Sequence, residues 1–352
     1  MSGGVDSSVA AYLLTQQGYD CIGVNMKLFT NEDINISWKK TCCSKNDIND
    51  ATDIASSIGI PFFVSDFSES FKTEVLNRFV NAYQNGDTPN PCIDCNRYLK
   101  FNLLFQKAKQ FGAEYIATGH YAQIEYDPIK KLYLLKKGKD ISKDQSYVLY
   151  NMTQKQLAHT LFPLGHLSKS QVREIARKQG YVNAEKHDSQ DICFVPNGDY
   201  ADFIIKYSHN EAKPGNFIDT KGNVLGTHKG IIRYTIGQRK GLGIALNKPM
   251  YVQKKNIIDN TVTLCEDNEL FCNSLDATDF NWIIEYPPVD FPLRVKAKIR
   301  YNQIEEWATV YKTSPDNIHM IFDEPQRAIA SGQAVVIYDG DIVIGGGRIV
   351  DS

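Results

Sequence analysis

Hydrophobic and polar positions divide the chain into two regimes. In the first, apolar stretches at helical spacing alternate with short apolar runs, beginning with Val9-Ala10-Ala11-Tyr12-Leu13-Leu14. Cys21 to Phe29 reads as a strand. Ser44 caps a helix over about 45–57, with Ile48, Ala51, Ile54 and Ala55 on one face and Gly59 ending it. Pro61-Phe62-Phe63-Val64 begins a strand, and a helix over about 69–83 follows. The polar break Asn85-Gly86-Asp87-Thr88-Pro89-Asn90-Pro91 is no helix, and helical spacing resumes over 98–111. Glu114 to His120 reads as a strand ending at Gly119-His120. This alternation predicts a doubly wound parallel sheet, whose ligands lie beyond the carboxyl ends of the strands. Met26, Gly119 and His120 fall at such ends.

Residues 121–126 and 132–135 predict a hairpin turning at Asp127-Pro128. Ser168 with Gln171 is a capping-box signature for a helix through Arg177, closed at Gly180. Near residue 206 the second regime begins, with short strands and glycine turns to about Cys272. The last piece is all β by pattern, with turn signals at Pro287-Pro288, Pro315-Asp316 and Asp339-Gly340, and is expected as a small β-barrel or sandwich, the barrel being preferred. The expected domains are an α/β domain over 1–205, a β-rich central domain over 206–272 and a β-barrel over 273–352.

Composition narrows this little. A chain of 352 residues needs more than one core, and 42% hydrophobic with 23% charged residues is globular composition. No run approaches the roughly 20 apolar residues of a membrane span, and no secretory signal is present, so a cytoplasmic protein with no membrane partner is expected. The eight cysteines point to metal or thiol chemistry rather than a disulfide scaffold. A net charge of −2 argues against indiscriminate nucleic-acid binding but leaves room for local patches. Arg294, Lys296, Lys298 and Arg300 alternate, and a period of two puts them on one strand face, a stripe suited to phosphates.

The candidate chemistry starts at the first residues. Ser2-Gly3-Gly4-Val5-Asp6-Ser7-Ser8 is a glycine loop opening a helix, which offers free N–H groups and the positive end of a dipole to phosphate. No lysine follows at the Walker A spacing. The loop resembles the SGGxDS PP-loop of the ATP pyrophosphatase superfamily, which splits ATP into AMP and pyrophosphate. That loop normally follows a buried strand; almost nothing precedes it here, so either the start lies further upstream or the first strand is lacking. Pro91-Cys92-Ile93-Asp94-Cys95-Asn96 leads into a helix, where a cysteine pKa is depressed. Cys193 sits between the polar Asp188-Ser189-Gln190-Asp191 and the apolar Phe194-Val195, as at a strand end. Cys92, Cys95 and Cys193 are enough thiolates for an iron–sulfur cluster with one open iron, whereas zinc lacks a fourth ligand. Cys21, Cys42, Cys43, Cys265 and Cys272 read as structural.

SGGVDSS, TPNPCIDCNRYLKF, ATGHYA, KDQSYVLY, SQDICF and YTIGQRKGLG occur in order. Together they resemble the bacterial tRNA-specific 2-thiouridylase family over essentially the whole chain. The resemblance implies replacement of O2 of the wobble uridine by sulfur, with ATP and Mg²⁺, in the tRNAs for Lys, Glu and Gln. It implies that Ser2, Gly3, Gly4, Val5, Asp6, Ser7 and Ser8 bind pyrophosphate, Asp6 placing Mg²⁺, while Met26 and Gly119 bound the adenine. Cys193 then carries a persulfide from a sulfur-relay protein or cysteine desulfurase, Cys95 is the nucleophile, and a Cys95–Cys193 disulfide forms as sulfur leaves. Asn90, Pro91 and Cys92 hold the flipped target base, Cys92 standing where many members carry Asp. Lys143, Asp144, Gln145, Arg300 and Tyr301 touch tRNA, and Asp188 and Asp191 orient groups near Cys193. His120 reads equally as a phosphate partner or a buried histidine. The competing functions are an amide-forming PP-loop ligase and an inactive tRNA-binding relative.

Overall fold

The computed structural model describes residues 1–30, 45–186, 192–195, 198–284 and 291–351. Cys42, Cys43, Ser44, Asp188, Asp191 and the Pro287-Pro288 turn lie outside the described residues. The chain forms two compact units. One comprises Met1–Leu76, Pro91–Gly198 and Gly340–Ile344; the other comprises Asn77–Asn90, Asp199–Asp339 and Gly345–Ser352. The helices are α1 (Val5–Gln16), α2 (Lys45–Ile58), α3 (Ser68–Phe71), α4 (Asn77–Gln84), α5 (Pro91–Asp94), α6 (Leu104–Gln110), α7 (Gln154–Ala158), α8 (Lys169–Lys178) and α9 (Tyr200–Ser208). Lys72–Leu76 and Cys95–Leu103 are wider π-turns.

In the first unit β1 (Gly23–Lys27) pairs in parallel with β2 (Phe62–Asp66), and β3 (Ile116–Ala117) in parallel with β6 (Thr160–Leu161). The expected parallel pairing is present, as two separate two-stranded sheets among the described residues. Met1 lies beside β1: its ammonium donates to the Val24 carbonyl, and Asn25 Nδ2 donates to its carbonyl at 2.9 Å. The hairpin of β4 (Ala122–Asp127) and β5 (Leu132–Lys137) turns where Asp127 Oδ1 accepts from the N–H groups of Ile129 and Lys130. Val5 and Val9 of α1 pack with Ile54 of α2 and with Val172 and Ala176 of α8. Burying each of these valine and isoleucine side chains contributes about 1.5–3 kcal/mol, which holds α1 against α2 and α8.

In the second unit β7 (Gly215–Ile218), β8 (Val224–His228), β9 (Tyr251–Asn256) and β10 (Thr261–Cys265) form a sheet in the order β8-β7-β10-β9. Phe217, Val252, Val262 and Leu264 fill its core. The expected barrel follows. Its strands are β11 (Phe271–Trp282), β12 (Leu293–Lys298), β13 (Glu306–Ser314), β14 (Asn317–Arg327), β15 (Ala334–Asp339) and β16 (Ile342–Asp351). The order β11-β14-β13-β12-β15-β16 closes through β11 and β16. Closure leaves no open edge. Among the described residues no helix is long and apolar enough to cross a membrane.

Candidate active site

The nucleotide loop is braced from inside. Gly4 flanks α1 in an extended conformation, and no side chain caps the helix. The hydroxyls of Ser7 and Ser8 instead turn back to the Gly4 carbonyl at 3.0 and 3.1 Å, and Ser7 Oγ accepts from the Ser2 N–H at 3.1 Å. Gly3 is left-handed at φ +75°, and a Cβ there would lie 2.3 Å from the Asp47 carbonyl oxygen. Only glycine fits that backbone. Asn183, almost fully buried, donates from Nδ2 to the Gly3 carbonyl at 3.1 Å and to Ser8 Oγ at 3.0 Å. Lys186 reaches the same carbonyl at 3.3 Å, Asp50 at 3.1 Å, and Asp47.

Asp6, assigned from sequence to Mg²⁺, is occupied. Lys169 Nζ donates to its two oxygens at 2.8 and 2.7 Å, and the Tyr121 hydroxyl donates to Oδ1 at 2.7 Å. Gly119 packs beneath this first turn. His120 is buried against Phe101 and Phe162, with Nδ1 2.7 Å from Thr118 Oγ1. Burial and the nearby Lys100 hold its pKa well below the ordinary imidazole value, so it is a neutral, packed ring. Met26 lies half-buried on β1.

The cysteines depart from expectation. The helix starts at the buried Pro91, a residue suited to a first helical turn because it has no N–H to leave unpaired. Cys92 is therefore exposed in the first turn, while Cys95 is half-buried where the π-turns begin. Burial pushes the Cys95 thiol pKa up, with Cys92 and Asp94 adding to the rise and Lys100 opposing it. The depressed pKa expected from a helix start is absent because Cys95 lies past that start and is partly desolvated. Cys193 occupies a turn closed by Val195 N–H to the Ile192 carbonyl at 2.9 Å, not a strand end. The buried ring of Phe194 meets Phe71 edge-on at 5.7 Å and anchors that turn. Cys95 and Cys193 are free thiols, so a disulfide between them is no part of this fold. Among the described residues no group of three or more His, Cys, Asp or Glu side chains is gathered to hold a metal. Among the described residues Cys92, Cys95 and Cys193 do not gather into such a group, and the Asp6 carboxylate is paired with the Lys169 ammonium.

Asp144 is buried, accepting from the N–H groups of Gly138 and Ser146 at 3.0 and 3.1 Å and from Ser146 Oγ at 2.8 Å. Gln145 is joined to Tyr121 through both its N–H and Oε1, at 2.9 and 3.0 Å. These two residues shape the turn that carries Lys143 and fix the tyrosine that meets Asp6. In the second unit Asn90 is half-buried. The cationic stripe is engaged within the barrel. Arg294 pairs with Asp323, Lys298 is buried against Glu305 at 3.4 Å, and Arg300 donates to the carbonyls of Arg327 and Ala328. Lys296 lies 5.3 Å from the Trp307 ring centre, and Tyr301 is exposed. Arg294, Lys296 and Lys298 alternate along β12 as expected, but the strand ends at Lys298 and Arg300 lies beyond it.

A glycine loop opening a helix on a parallel α/β frame, with the carboxylate of its first turn held by a buried lysine, defines a nucleotide-binding class. Residues 1–197 match the family described as tRNA methyl transferase HUP domain. Residues 201–266 match the tRNA methyl transferase PRC-barrel domain, and residues 272–349 the aminomethyltransferase beta-barrel domain. The tRNA-specific 2-thiouridylase MnmA of Clostridioides difficile (strain 630) is 53% identical over 352 residues, covering 100% of this chain and 97% of that one. Its namesake in Acetivibrio thermocellus is 51% identical, covering 99% and 97%, and that of Clostridium acetobutylicum 49%, covering 99% and 98%. The chain belongs to the MnmA family of tRNA-specific 2-thiouridylases.

Proposed function

We propose that the chain is a tRNA-uridine 2-sulfurtransferase that adenylates the wobble uridine with ATP and installs sulfur at C2, releasing AMP and pyrophosphate. The observation that carries this reading is the braced loop at the start of α1 in a chain about half identical to thiouridylases along its whole length. The carbonyl oxygen at C2 is a poor leaving group, and transfer of AMP to it makes it a good one. Charge builds on the departing pyrophosphate, and a helix start with inward N–H groups stabilises it. In this scheme Ser2, Gly3, Gly4, Val5, Asp6, Ser7 and Ser8 surround the phosphates, and Met26 and Gly119 border the adenine. ATP enters as its Mg²⁺ complex, the ion held by phosphate and water, as hard Mg²⁺ commonly is.

Cys193 is assigned the persulfide and Cys95 the nucleophile. Burial raises the thiol pKa of Cys95, and Lys100 is the nearby cation that favours its thiolate. Asn90, Pro91 and the exposed Cys92 are assigned to the flipped base. Lys143, Arg300 and Tyr301 are assigned to tRNA, joined by the exposed Arg239 and Lys240 of the central region. Catalysis is assigned to 1–205, and the tRNA body to 206–272 and 273–352. The proposed partners are the tRNAs for Lys, Glu and Gln and a persulfide-donating relay protein or cysteine desulfurase, all in the cytoplasm.

The test is the fate of α-labelled ATP with and without bulk tRNA lacking the thio group. AMP released only with tRNA supports the proposal. AMP released without tRNA, and rising with ammonia and a small carboxylate, replaces it with an amide-forming ligase.

A further inference from the structure

The nucleotide loop holds a cation that the helix dipoles disfavour. Lys169 is the first residue of α8, and its N–H donates to Asp140 Oδ2 at 2.9 Å. A helix start carries partial positive charge, so an ammonium there needs an anion of its own. The Lys169 ammonium reaches to Asp6, contacting both carboxylate oxygens, and lies 5.7 Å from the Tyr121 ring centre. Its side chain is only 11% exposed, against 33% for Asp6. The screened member of the pair is thus the cation, and the carboxylate is the one open to exchange.

The start of α1 and the Lys169 ammonium meet at this one carboxylate. α1 and α8 run for 12 and 10 residues and are fixed side by side through Val5, Val9, Val172 and Ala176. The start of α8 already has its own anion, Asp140, and its own cap, Ser168 with Gln171, so the charge left facing the loop is the start of α1 and the Lys169 ammonium. A largely buried ammonium at the first turn of a glycine loop that opens a helix suits a polyphosphate. The glycine loop has no lysine of its own at the Walker A spacing, and Lys169 arrives at its first turn from 163 residues away.

Resting on the adenylation reading, we infer that Lys169 is a polyphosphate-contacting residue, its ammonium passing from the Asp6 carboxylate to an oxygen of the pyrophosphate moiety of ATP. Asp6 holds the long side chain in place beforehand. A charge-assisted hydrogen bond to the departing group strengthens as that group gains charge. Tyr121 keeps Asp6 oriented when the ammonium moves, since its hydroxyl holds Oδ1 independently at 2.7 Å.

The test titrates inorganic pyrophosphate and AMP separately into the full chain by calorimetry, for the wild type, Lys169→Met and Lys169→Arg, with thermal midpoints recorded. The expected result is a loss of pyrophosphate affinity of about tenfold or more in Lys169→Met, AMP affinity staying within about twofold, and pyrophosphate binding largely kept in Lys169→Arg. Unchanged pyrophosphate affinity in Lys169→Met overturns the inference. So does an equal loss for both ligands with a lowered midpoint, which marks Lys169 as a brace only. Should Lys169→Met not fold, Lys169→Gln, which keeps a donor for Asp6 but no charge, is held to the same outcomes. A wild type that binds neither AMP nor pyrophosphate overturns the adenylation reading as well, whereas normal wild-type binding with an unaffected variant overturns only the role of Lys169.

Discussion

A Cβ on Gly119 would lie 2.8 Å from the carbonyl carbon of Asp6 and 2.9 Å from the Ser7 nitrogen. The chain leaving β3 therefore touches the first turn of α1 with no room for a side chain. Gly119→Ala pushes that turn aside and is expected to slow AMP formation on the order of 10–100-fold, the usual result of displacing reacting groups by about an ångström. Affinity for tRNA should hold. Steady-state kinetics with a filter-binding control checks this, and undiminished AMP formation contradicts it.

Asn183 ties Gly3 to Ser8, and its Oδ1 has no hydrogen-bond partner among the described residues. Asn183→Ala removes two buried hydrogen bonds and should cost about 1–3 kcal/mol, partly offset because an unpaired acceptor leaves with them. Urea unfolding measures the loss. A variant as stable as the wild type shows that the loop holds without this brace.

The depressed pKa of His120 has a sign. The folded state prefers the neutral ring, so the unfolded chain binds more protons as pH falls below the ordinary value of 6.5. The stability this ring contributes is complete above that value and is lost as pH falls through its lower folded value. Thermal midpoints should decline on acidification in the wild type and less steeply in His120→Gln. Parallel curves for the two would contradict the assignment.

Cys95 should react late. Iodoacetamide at neutral pH is expected to label the exposed Cys92 before the half-buried Cys95, and labelling of Cys95 should keep rising past the ordinary thiol range of about 8.5. Lys100→Met removes the opposing cation and should slow Cys95 further. Peptide mass spectrometry resolves the sites, and faster labelling of Cys95 than Cys92 at pH 7 would contradict the account.

Features governed by near neighbours were legible in the sequence. Glycines in the loop, the Ser168–Gln171 capping box, the 122–137 hairpin and the alternation of the barrel strands each appear where their local chemistry required. Contacts between distant residues were not. Lys169 and Asn183 meet the loop from more than 160 residues away, and Lys186 reads as an ordinary surface lysine until Asp47 and Asp50 are seen beside it. One signal was available: a lysine at a helix start opposes the dipole and implies an anionic partner. The Cys95 expectation failed because the helix begins at Pro91 and not beyond it. The cationic stripe was right in periodicity over Arg294, Lys296 and Lys298, but the partners of Arg294 and Lys298, Asp323 on β14 and Glu305 just before β13, could not be read from it.

The central claim is tested most directly by nucleoside mass spectrometry of the wobble uridine after incubating the chain with ATP, unmodified tRNA and a persulfide-loaded sulfur donor. The account predicts 2-thiouridine from the wild type and none from Cys95→Ser or Cys193→Ser, with AMP still released by both variants. Thiolation that survives either substitution contradicts the assigned sulfur route, and a wild type that releases AMP on tRNA without ever forming 2-thiouridine contradicts the thiolase itself.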